Sequence, residues 1–184
     1  MKQESHRMLG HSLMELLPQQ PKRRHTRAFL LGCVEPDCNP LSYLKGSLRS
    51  RWFYGHNYQN ADRWIQRHMR RLQKKKRWNF WNYYSMGKLI HYTSDAFTYV
   101  HNNCFTDTIA AHRDYENQLQ SQFLPQLDQG LCVKAVPYHE IGSFFCSVHH
   151  HYLSSVHTLQ KDCRYIMGMC SWLFCQLIPE ASPV

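Results

Sequence analysis

The feature that most limits what this chain can fold into is the spacing of its apolar residues. They recur every three or four positions through most of the sequence, while Val/Ile/Thr alternation is scarce. That period is the helix's, so the expected fold class is all-α, a single multi-helix domain over residues 1–184. The pattern predicts helices near 4–17, 23–33, 60–75, 79–97, 106–122, 139–158 and 160–177. Pro18 and Pro21 close the first helix, the second ends before Pro36, and the fifth ends before Pro125. Residues 36–56, with Pro36, Pro40, Gly46 and Gly55, read as a long irregular loop. Structureless loops of about 20 residues are uncommon in compact domains and are usually functional.

Composition narrows the class. A chain that is 43% hydrophobic and 19% charged is not intrinsically disordered. Its formal charge of +9 favours anionic partners. The basic run Arg67, Arg70, Arg71, Lys74, Lys75, Lys76 and Arg77 ends at Trp78, with Phe80 and Trp81 beyond it. It reads either as a solvated helix end or as a surface for peripheral contact with an anionic membrane or nucleic acid. Residues 1–20 lack the apolar core and cleavage pattern of a signal peptide. The longest mostly apolar stretch, 166–178, is short of the roughly 20 residues a transmembrane helix needs. A cytoplasmic location, peripheral to membranes at most, is the expectation. Cys146, Cys163, Cys170 and Cys175 lie in apolar helical sequence and read as buried, reduced thiols.

Chemistry is concentrated in the histidines. With 13 His and 13 Asp+Glu in 184 residues, about one His-x₃-acid pair is expected by chance, and the chain has three. His11/Glu15 is taken as the accidental one. His91/Asp95 and His112/Glu116 each put an imidazole and a carboxylate on one helix face, about 6 Å apart along the axis. Such N/O donor sets suit zinc. His101 lies between the two pairs. On one continuous helix it would stand about 15 Å above His91, too far for neighbouring metals about 3.5–4 Å apart. The fourth helix is therefore expected to end or bend between Asp95 and His101.

The order His91-x₃-Asp95-x₅-His101 followed by His112-x₃-Glu116 resembles the bacterial zinc-dependent phospholipase C family. Ser5-His6 resembles that family's early His ligand, and Asp37 with His56 resembles its Asp…His pair in the long loop. The likeness spans about residues 5–118. It implies an all-α fold and two or three zinc ions. Asp37, His56, His91 and Asp95 would hold one, and His101, His112 and Glu116 a second. His6, with Asp95 bridging, would hold a third. Secreted members begin with a Trp whose amino group and carbonyl bind that third metal, whereas here Met1 stands five residues before His6. The implied activity is hydrolysis of the glycerol–phosphate bond of phospholipids. Zinc would acidify the attacking water and offset phosphate charge, with Asp37 as general base and Glu116 as runner-up. Trp52, Phe53 and Tyr54 would be available to touch lipid. Two alternatives stay open: a single-strand-type nuclease on the same scaffold, and a metal-stabilised, non-enzymatic membrane-associated protein.

Overall fold

A computed structural model describes residues 1–39, 58–131 and 140–179, which are all-helical without strands. Seven α-helices follow in order: α1 Gln3–Glu15, α2 Arg23–Cys38, α3 Tyr58–Gln73, α4 Phe80–Ala96, α5 Ile109–Leu127, α6 Ile141–Leu153 and α7 Leu159–Leu177. A short 3₁₀ turn, Tyr99–His101, stands between α4 and α5.

Local sequence explains several starts. Asn79, Thr108 and Thr158 each accept a hydrogen bond from the amide three residues on (Asn82, Ala111 and Lys161), capping α4, α5 and α7. Two proline boundaries are corrected. Pro36 lies inside α2, which runs on to Cys38, and Pro125 lies inside α5, which runs on to Leu127. Tertiary contact outweighs the local penalty at the first: Glu35 pairs with Lys88 of α4 at 2.8 Å, and the Asn39 amide closes the last turn on Glu35 O at 3.0 Å. Residues 36–39 therefore leave the expected loop, and 40–57, with Trp52, Phe53 and Tyr54, fall outside the described residues.

The centre of the molecule is α4. Thirteen of its seventeen residues are buried, polar ones included, and from Leu89 to Ala96 every residue is. Its main neighbour is α2. His25 stacks on Tyr83, Gly32 faces Gly87, and the Cys33 carbonyl meets His91, so contacts climb both helices in the same sense. The crossing is backbone on backbone. A Cβ at Gly32 would lie 2.2 Å from Tyr84 O, and one at Gly87 2.0 Å from Phe29 O. No other residue type fits at either position without separating the helices. Around this pair, α1, α3 and α7 bury Leu9, Leu13, Ile65, Met69, Ile166, Leu173 and Phe174.

Cysteine chemistry matches reduced thiols, since every described cysteine is free. The burial expectation holds for Cys163 and Cys170 but is corrected for the other two: Cys175 is half-buried, and Cys146 is exposed, beside Gln66. Of the histidine triplet, His149 faces inward and His150 and His151 face out.

Candidate metal centre

The site stands where α1, α2, α4, the 3₁₀ turn and α5 meet. It exists because α4 stops. The last helical residue is Ala96, and Asn102 turns back on the helix end, its side-chain amide donating to Ala96 O at 3.0 Å and Thr98 O at 2.9 Å. His149 donates to the same Ala96 carbonyl at 3.0 Å. These bonds satisfy carbonyls that a helix terminus leaves open. The chain then reverses and His101 comes within 3.7 Å of Asp95. The expected break between Asp95 and His101 is thus present, and its cause is this cap.

Two donor groups result. The ligand atoms of His6, His91 and Asp95 lie within 4.8 Å of one another, all buried. Those of His101, His112 and Glu116 do likewise and are half-buried. Asp37 borders the first group, 3.6 Å from His91 Nε2 and 3.8 Å from His6 Nε2, and its side chain is 25% exposed. Seven of the eight residues singled out from sequence converge here. The eighth, His56, lies outside the described residues.

Hydrogen bonding fixes which imidazole nitrogens carry protons. His91 Nδ1 lies 2.9 Å from the Cys33 carbonyl oxygen, which can only accept, so Nδ1–H donates. Ser94 Oγ donates its one hydrogen to His91 O at 2.8 Å, so at 3.0 Å it must accept from His6 Nδ1–H. In the neutral rings, both Nε2 atoms then present bare lone pairs. They aim at carboxylate oxygens: His91 Nε2 at Asp95 Oδ2 (3.2 Å) and His6 Nε2 at Asp95 Oδ1 (3.3 Å). His6 Nε2 is buried without a hydrogen-bond partner. Lone pair facing carboxylate repels unless a metal ion or an added proton lies between. The donor set therefore fits a divalent metal, and the second bond of each imidazole orients it as metal-bound histidines are oriented.

One neighbour comes from the far end of the chain. The Met1 amino group donates to Asp95 Oδ1 at 2.9 Å and lies 3.0 Å from Glu116 Oε1 and 2.7 Å from His101 Nε2. It bridges the two groups. No spacing rule ties residue 1 to residues 95, 101 and 116.

Charge states follow the crowding. Burial, then the charge of His91, pushes His6 down to about 4 against the pull of Asp95. Burial also pulls on His91, but Asp95 and Asp37 outweigh it and raise its pKa. Burial would raise Asp95, yet His101, the ammonium, His91 and His6 hold it well below the usual carboxylate range. Burial would lower the Met1 ammonium, but Asp95, Glu116 and Asp37 raise it to about 11. Asp95, in the buried first group, thus stays ionised at neutral pH.

The structure thus gives a helical protein with two adjoining His/carboxylate groups, each able to hold a metal ion. The family follows from comparison with known sequences: a model of zinc-dependent phospholipase C matches residues 5–159. The chain belongs to that family. No curated protein and no solved structure gives a match.

Proposed function

We propose that this protein is a zinc-dependent phosphodiesterase of phospholipase C type, cleaving the glycerol–phosphate bond of a phospholipid. The observation that carries the reading is the pair of outward-facing lone pairs on His6 and His91 closing on Asp95, a geometry that calls for a cation. His6, His91 and Asp95 would hold one zinc with Asp37 beside it, and His101, His112 and Glu116 a second. Zinc bound there supplies Lewis acidity that makes water a nucleophile near neutral pH and offsets charge on phosphate oxygens.

The chain's own residues do the rest. Cys33 O and Ser94 lock the rings of His91 and His6 in orientation. Asp37 stands at the rim with its carboxylate partly exposed, positioned to take a proton from a water entering beside His6 and His91. Glu116, 17% exposed, is the second candidate for that role. His112, at 31%, is the most open of the donors and marks the side from which a phosphodiester approaches.

Membrane contact in this reading is peripheral. Among the described residues no helix is long and apolar enough to cross a bilayer. Between Asp62 and Asp95 the chain has nine Lys/Arg and no acid. Lys74, Lys75, Lys76 and Arg77 are exposed in the turn before α4, and Trp81 beside them is 65% exposed. His25 on Tyr83 brings the exposed Lys22, Arg23 and Arg24 of α2 to the same end of the molecule. Cations with an exposed Trp suit an anionic lipid surface.

The test is hydrolysis of phosphatidylcholine and phosphatidylglycerol vesicles by zinc-loaded protein, wild type and Asp95→Ala, with single-stranded DNA as competitor substrate. Diacylglycerol and phosphorylated headgroup, absent in the variant, support the proposal. Mononucleotides instead would make it a nuclease, and zinc binding without either product would make it a metal-stabilised binding protein.

A further inference from the structure

Asp162 has no place in any motif, and it lies beyond the matched residues 5–159. It stands in the first turn of α7 and is fully buried. A buried carboxylate is costly unless donors surround it, and here three do. Its Oδ2 accepts from the Tyr99 backbone N–H at 2.8 Å and from the Tyr115 hydroxyl at 2.8 Å. Its Oδ1 accepts from the Tyr152 hydroxyl at 2.7 Å.

The two Oδ2 donors are neighbours of the second donor group. Tyr99 opens the 3₁₀ turn that ends in His101. Tyr115 precedes Glu116 and follows His112 by one helical turn on α5. The Tyr99 and Tyr115 rings also touch, and the Met1 amino group meets both His101 and Glu116; Asp162 Oδ2 joins the start of the turn to α5 by hydrogen bonds. The first group has separate supports, Cys33 O for His91 and Ser94 for His6.

We propose that Asp162 is a positioning residue for the second metal group: its Oδ2 clamps the 3₁₀ turn to α5, so that His101 closes on Glu116 at 3.2 Å. The inference rests on the metal-centre reading above. Asp162 touches neither metal nor substrate; it sets the distance between the elements that carry the ligands. One oxygen takes two donors while the other takes the third. Asparagine would keep the clamp, its amide oxygen accepting from Tyr99 and Tyr115 and its NH₂ donating to the Tyr152 oxygen, so the substitution that removes it is Asp162→Ala.

The experiment is zinc titration of metal-free full-length protein against a chromophoric chelator. Variants are Asp162→Ala, Tyr115→Phe and Tyr152→Phe, with His112→Ala and His6→Ala assigning which affinity belongs to which group. Asp162→Ala should weaken the second group by about 10–100-fold, the size seen when partners of metal ligands are removed, and leave the first within about twofold. Tyr115→Phe, which leaves Asp162 in place and so keeps the test independent of any folding defect at 162, should weaken the same group. Tyr152→Phe spares both Oδ2 bonds and should change neither. Equal weakening of both groups by Asp162→Ala, or no change in either, would overturn the proposal by reducing Asp162 to general packing. So would Tyr152→Phe matching Tyr115→Phe. If wild type and His112→Ala bind the same amount of zinc, the metal reading of the second group itself fails, which is visible before any Asp162 variant is measured.

Discussion

Gly87→Ala tests whether the spacing of α2 and α4 sets the geometry of the metal centre. The added Cβ would stand 2.0 Å from Phe29 O and 2.8 Å from Cys33 N, both backbone atoms that no rotamer change can move. A relaxed C···O contact is about 3.3 Å, so α2 must withdraw by about 1.3 Å at this point. The hydrogen bond from His91 Nδ1 to Cys33 O, now 2.9 Å, would open to about 4 Å and be lost. Overpacking costs about 1–3 kcal/mol, and stranding a buried donor about 1–3 more. Better helix propensity of Ala returns about 1 kcal/mol. The net expectation is a loss of about 3 kcal/mol, read as a lower urea midpoint at unchanged slope. Zinc affinity of the His6/His91/Asp95 group should fall about 10–100-fold with the lost orienting bond. Gly168→Ala is the matched control: a Cβ there meets nothing within 4 Å, and stability should rise by about 0.5–1 kcal/mol. A Gly87→Ala protein within about 1 kcal/mol of wild type by the scale of ordinary surface changes, binding zinc as tightly, would refute the claim that the helix contact holds the site.

Acid should act partly through His149, which burial pushes down to about 4 against the pull of the Ala96 carbonyl. A depressed folded pKa means this contribution is full above the unfolded value near 6.5 and is lost as pH falls through about 4. Its ceiling is about 3 kcal/mol. His149→Gln should therefore flatten the acid limb of the urea-midpoint profile, and parallel limbs would contradict the assignment. Zinc at about 100 times its dissociation constant should stabilise metal-free protein by about 2.7 kcal/mol, measured as a rise in melting temperature that chelator reverses; no shift would argue against a native-state site. Cosedimentation with vesicles containing phosphatidylglycerol should exceed that with phosphatidylcholine alone and decline steeply with salt. Replacing Lys74, Lys75, Lys76 and Arg77 by Gln, or Trp81 by Ala, should weaken it severalfold, and salt-independent binding would remove the basic turn from the account.

Much of this was legible because helical fold and site share one grammar. His91/Asp95 and His112/Glu116 are local pairs, so the period that predicts the helices also predicts which side chains share a face. The break after Asp95 was legible by exclusion, since a straight helix would carry His101 away. What escaped was tertiary. Gly32 and Gly87 are 55 positions apart, and only the folded crossing shows that both must lack a side chain. Pro36 reads as a stop in any local scheme, because the packing of α2 on α4 that overrides it is not local. Asp162 carries no motif; its three partners come from the 3₁₀ turn, α5 and α6. The Met1 amino group meets partners 94 to 115 positions along the chain, a contact that spacing does not show and that the likeness to secreted members alone foreshadowed.

The burial of every residue of α4 from Leu89 to Ala96 has a kinetic corollary. That half of the helix has no solvent face of its own, so the amides of His91 to Asp95 should exchange with solvent only through global unfolding. His91 and Asp95 meet their partners on α2 and α1 in the packed state. In this reading zinc would join a centre that the folded chain has already formed. Native-state hydrogen exchange on metal-free protein would show this as slow, uniform protection from His91 to Asp95, whereas fast exchange there, rescued by zinc, would reverse the order.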